Sequence, residues 1–125
     1  MTPLQEQFEV LKAEFPQAIL QELPSGTALI IVDNFPLPNG WSHTTTTVRF
    51  LAPVGYPFAK PDCFWSDNHI RLGNQAPPQN TGSNAIPEVE GNFLWFSWHV
   101  GQWNPNRDNL STYMKIIGAR FKELK

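Results

Sequence analysis

Apolar residues recur along this chain with two periods, and the changes of period mark its elements. Leu4, Phe8, Leu11 and Phe15 fall on one helical stripe. Thr2, Pro3 and Gln5 supply an N-cap, a proline at the first helical position and a capping-box partner, and Pro16 stops the run. The pattern then becomes extended. Ala28-Leu29-Ile30-Ile31-Val32 is continuous and β-rich, Thr44 to Leu51 is a β-branched run with Val48 and Phe50 on one face, and Asn39-Gly40 between them is a turn signal. Asp62 to Trp65 predicts a third strand and Phe93 to Phe96 a short fourth segment. Leu110, Tyr113, Met114, Ile117, Phe121 and Leu124 return to helical spacing, with Asp108 placed to cap. A helix, an antiparallel meander, a long loop and a closing helix predict an α+β fold within one domain, 1–125.

Twelve prolines and eight glycines punctuate the 125 residues. They cluster in Pro36 to Gly40, Pro53 to Pro61 and Gly73 to Gly91, which predicts loops there. The last holds three prolines, three glycines and five Asn or Gln residues, and its length and composition predict a mobile, functional loop without regular structure. Charge narrows the partners: a net charge of −2, with charged residues at 16%, carries no electrostatic footprint for nucleic acid or a membrane surface. Met1 to Phe15 has acidic residues and no unbroken apolar stretch, so the expected location is cytoplasmic. A lone Cys63 excludes an internal disulfide and fits a reducing compartment.

Tyr56-Pro57-Phe58-Ala59-Lys60-Pro61 leaves the chain few conformations, because each proline fixes its own φ and holds its predecessor extended. This segment resembles the Tyr-Pro-x-x-x-Pro signature of the ubiquitin-conjugating enzyme (UBC-like) superfamily. Trp103-Asn104-Pro105, followed by Asp108-Asn109-Leu110, resembles the tryptophan-x-proline-helix passage of that family, and Asn68-His69 weakly resembles its His-Pro-Asn segment, without the proline. The order of elements is also that of the family, over nearly the whole chain. The resemblance implies a divergent, bacterial-type member and, as partners, an activating enzyme and a ubiquitin-like protein. It implies no cofactor. The same Tyr-Pro signature also occurs in the related RWD-type domains, which bind proteins and do no chemistry.

The family places a catalytic cysteine in the stretch corresponding to Gly91 to Pro105. Counting from Gly91 gives Leu94 and counting back from Trp103 gives Trp95, neither of them a nucleophile. Cys63 follows the Tyr-Pro bend at a position expected to be strand-interior, where free cysteine acts as a small buried hydrophobe, so an unreactive thiol is expected. Ser97 and His99 lie just beyond the missing cysteine. If the segment is extended they share a face, and His99 then acts as the base that makes the Ser97 hydroxyl an acyl acceptor through an oxyester. The structural alternative has Ser97 bonded to backbone and His99 on a polar surface. Asp62, Asp67 and Asp108 are the carboxylates available to orient His99. His43, His69, His99 and Cys63 show no paired ligand spacing, so no metal site is predicted. Trp41, Trp65, Trp95, Trp98 and Trp103 read mainly as core. Three functions remain open: a transferase with a non-cysteine nucleophile, an inactive protein-binding variant, and a small ligand-binding α+β domain.

Overall fold

The computed structural model describes residues 2–125. Its first helix, α1 (Pro3–Glu14), begins as the sequence predicts, with Thr2 and Gln5 closing a capping box and Pro3 in the first turn. Six strands follow: β1 (Ile19–Glu22), β2 (Ala28–Pro36), β3 (Thr45–Ala52), β4 (Phe64–Asp67), β5 (Thr81–Ser83) and β6 (Phe93–Phe96). The chain closes in α2 (Leu110–Lys122). All strand pairs are antiparallel, in the order β1-β2-β3-β4-β6-β5. The α+β fold that the sequence predicts is therefore present. Only its first four strands form a meander, because β6 inserts between β4 and β5.

Period-two alternation sends the two faces of the sheet to different partners. Ile30 and Val32, Val48 and Phe50, Phe64, Leu94 and Phe96 face the helices, meeting Leu11 of α1 and Leu110, Tyr113, Met114, Ile117 and Phe121 of α2. Phe121 sits at the centre, edge-on to Phe64 and Phe96, and its carbonyl accepts a 2.7 Å hydrogen bond from Trp41 Nε1. The opposite face, with Leu29, Trp65, Phe93 and Trp95, is covered by Ile86 and Val89.

That cover corrects one expectation. The Gly73 to Gly91 segment does form regular structure, since β5 pairs with β6 across Thr81 to Ser83. It is also fastened: Ile86 is buried, the Asn84 carbonyl accepts from Trp65 Nε1 at 2.8 Å, and the Gln79 carbonyl accepts from Arg120 at 2.8 Å. The helix cap moves by one residue. Asn109 caps α2, in a capping box with Thr112, whereas the Asp108 carboxylate accepts from the Asn104 amide. Leu124, expected on the helical stripe, lies beyond the helix and is half exposed.

Candidate functional site

The site forms where the β4–β6 ladder runs out. Phe64 pairs with Phe96, Trp65 with Trp95 and Ser66 with Leu94. Beyond Phe64 the chain leads back through Cys63 to Pro61 and Pro57, and proline has no N–H to donate to a ladder. The antiparallel approach nevertheless continues, carried mostly by side chains. The Cys63 amide donates to the Trp98 carbonyl at 3.0 Å, and His99 Nδ1 lies 2.7 Å from Asp62 Oδ1. Lys60 Nζ donates to the Val100 carbonyl and Trp103 Nε1 to the Pro57 carbonyl, each at 2.8 Å. Four tethers thus hold the Tyr-Pro bend along the stretch before Trp103, and they fix which residues face each other.

Cys63 occupies the first rung past the sheet. It is buried, as expected, with 8% of its surface exposed, but it is not strand-interior. Its φ is +60°, a left-handed conformation that costs a residue with a Cβ about 1–2 kcal/mol. Both of its backbone groups are tied, the amide as above and the carbonyl by the Tyr113 hydroxyl at 2.6 Å, which holds it in that conformation. Burial pushes the Cys63 thiol up from its ordinary value; the backbone of Trp98 and the side chain of Trp95 oppose this, and the Asp62 charge adds to it. The thiol is therefore neutral near pH 7, and needs a base to become a nucleophile.

A base lies beside it. The ligand atoms of Asp62, Cys63 and His99 lie within 4.8 Å of one another. Asp62 and His99 are well exposed, with 51% and 65% of their side-chain surface open, so an incoming group reaches the imidazole without rearrangement of the core. Of the three carboxylates the sequence offered, the fold selects Asp62. Asp67 is engaged by Arg49 at 3.3 Å and by the Thr47 amide, and Asp108 by Asn104.

Ser97 is placed differently. β6 ends at Phe96, so the alternation that would set Ser97 and His99 on one face does not extend that far. The Ser97 amide donates to the Asn80 carbonyl at 2.7 Å, on the β5 side of the sheet, and among the described residues no hydrogen bond joins Ser97 to His99. The Gly73 to Gly91 segment does lie against Ser97, through Asn80.

Although the sequence shows no paired ligand spacing, Asp62, Cys63 and His99 come together with one ligand atom each within 4.8 Å of the others. Paired-ligand spacing is a local signal, and this cluster joins residues 37 positions apart. His43 and His69 do meet, ring to ring at 4.5 Å, but away from Cys63 in a separate exposed pair. Asn68, the other member of the weak His-Pro-Asn likeness, is exposed next to His69.

Beneath Trp98 lies a residue that no motif or periodicity singled out. Arg120 of α2 is 1% exposed; its guanidinium donates to backbone oxygens of Gln79, Glu123 and Lys125 and lies 5.3 Å from the ring centres of Phe96 and Trp98. Burial lowers its pKa, with the Glu123 charge opposing. It braces the β5 segment and the Trp98 stretch from the helix side.

Among the described residues no helix is long and apolar enough to cross a membrane. No curated protein and no solved structure matches the chain. A family model does: the one described as Prokaryotic E2 family E matches residues 14–123.

Proposed function

This chain belongs to prokaryotic E2 family E, and from that premise we propose that it carries the C-terminus of a ubiquitin-like protein as a thioester on Cys63, with His99 as the base and Asp62 holding His99. Membership supports a role in ubiquitin-like conjugation, with a ubiquitin-like protein and an activating enzyme as the partners of this reading. One observation carries the choice of residue: the 2.7 Å His99–Asp62 contact lies beside the only thiol of the chain, with the reactive atoms of all three within 4.8 Å. It is a nucleophile, a base and an orienting carboxylate in one cluster.

In the proposed step the activating enzyme presents the ubiquitin-like protein as its own thioester. His99 takes the Cys63 S–H proton while Sγ attacks the carbonyl carbon, and the bond from that carbon to the activating enzyme's sulfur breaks. The proton passes from His99 to the departing thiolate. An amine of the target then attacks the Cys63 thioester, releasing the Cys63 thiol and forming an amide. Asp62 stabilises the transient imidazolium, and the ties on Cys63 hold its backbone beside that pair.

The test is adduct formation with an activating enzyme, its ubiquitin-like protein and ATP. A one-to-one adduct lost on treatment with thiol reductant, absent in Cys63→Ala and slowed by about 10²–10⁴-fold in His99→Ala, is expected. An adduct that resists thiols, yields to hydroxylamine and disappears in Ser97→Ala instead makes Ser97 the acceptor through an oxyester. Binding without any adduct makes the chain an inactive, protein-binding variant.

A further inference from the structure

We propose that Asp62, Cys63 and His99 together bind one borderline-soft divalent cation of the zinc class, and that the bound ion closes the site to acyl transfer. The donor set is one thiolate, one imidazole nitrogen and one carboxylate oxygen, the three ligand types zinc takes most readily. Their atoms already lie within 4.8 Å of one another. Tetrahedral zinc, with bonds of about 2.0–2.3 Å, separates its ligand atoms by roughly 3.3–3.6 Å, so the Asp62–His99 contact of 2.7 Å opens by less than about 1 Å and the gap to the sulfur, at most 4.8 Å, closes by up to about 1.5 Å. The two side chains that move most are the exposed ones, whereas Cys63 is held at both backbone groups. One donor thus sits on a tied backbone, and the two exposed side chains supply most of the adjustment.

Binding replaces the Cys63 S–H proton, which leaves to solvent, and the imidazole coordinates in its neutral form through one ring nitrogen. Three protein ligands leave a fourth position for water, the open pattern of exchangeable rather than structural zinc. The regulatory half of the proposal rests on the reading of Cys63 as the acyl acceptor. A sulfur whose lone pair is committed to the ion does not attack a thioester, and an imidazole bound to the ion does not take its proton.

Cobalt(II) serves as the probe, since a cysteine thiolate bound to it gives a charge-transfer band in the near ultraviolet. Metal-free protein titrated with cobalt should develop this band at one equivalent, and zinc should erase it. Cys63→Ser should abolish the band. His99→Ala, which alters an exposed side chain and keeps the core, should weaken cobalt binding by more than about tenfold, while a His43→Ala/His69→Ala variant should bind as the parent does. No band, a band surviving in Cys63→Ser, or one lost only in the His43/His69 variant would overturn the site. For the regulatory half, one equivalent of zinc should suppress adduct formation on this chain while charging of the activating enzyme, followed separately, continues. An adduct indifferent to bound zinc overturns that half. The two readings fail separately: a cobalt band without any adduct leaves the metal site standing and removes the acceptor, and an adduct without the band does the reverse.

Discussion

On the helix-covered face of the sheet buried residues pack together in one apolar cluster, while across the junction of the Tyr-Pro bend with the Trp103 stretch the links are single hydrogen bonds. Phe121 meets Trp41, Phe35, Phe64 and Phe96 ring to ring. At the junction Trp103, Lys60, His99 and the Cys63 amide contribute one hydrogen bond apiece across the gap. Redundant apolar packing gives stability that no single polar contact supplies, and single tethers give a defined geometry that side chains are free to leave. The candidate chemistry sits where the second kind of contact takes over from the first. Cys63 stands on the border, its backbone tied like a core residue and its sulfur beside two exposed groups.

The sharpest way to break this comparison is through the core. Phe121→Ala should cost about 3–5 kcal/mol, read as a shift in urea or thermal midpoint. A midpoint close to the parent's would mean that the helix face does not carry the stability. Trp103→Ala should cost less, about 2–3 kcal/mol, because the indole is only partly buried and loses one hydrogen bond to Pro57. Hydrogen exchange should show its effect concentrated in residues 97–103 and in the Tyr-Pro bend; an effect spread evenly over the sheet would merge the two regions into one cooperative unit.

Arg120→Met should change global stability by under about 2 kcal/mol, since the loss of three hydrogen bonds to backbone oxygens is offset by no longer desolvating a cation. Its signature should be local, with faster amide exchange in residues 79–83 and 98–100. Unchanged exchange there would remove Arg120 as the brace between core and site. The smallest effect concerns pH. Burial, and then the Asp108 charge, hold the Tyr56 phenol above its ordinary value, so the folded state keeps this proton more tightly than the unfolded chain does. That contribution is complete below the ordinary phenol range near pH 10 and is lost as the pH rises toward the folded value. Tyr56→Phe should therefore cost about 1 kcal/mol at neutral pH, through its lost bond to Gln7, yet flatten the decline of stability above pH 10. An identical alkaline decline in the variant would assign the effect elsewhere.

What the sequence determined by itself was whatever depends on neighbours along the chain. The capping box at Thr2, the stripe of α1, the buried face of α2 and the alternation of Val48 and Phe50 are short-range patterns, and each appears in the structure. The Tyr-Pro and Trp-x-Pro signatures likewise carried the family, because they are runs of a few adjacent residues. Strands without an apolar signature were illegible: β1 is an edge strand with mostly exposed positions, and β5 is the tripeptide Thr81-Gly82-Ser83. The Asn109 cap was missed by one residue, since Asp108 and Asn109 are both good caps and only the backbone of the first turn distinguishes them. The site was the least legible part. Periodicity tells which face a residue takes but not which distant strand lies opposite, and it is the pairing of β4 with β6, continued one rung at a time past Phe64, that brings Asp62 to His99 and both to Cys63. Only the tertiary structure decided this, because it is a long-range register, set by burying Phe64 and Phe96 together against Phe121.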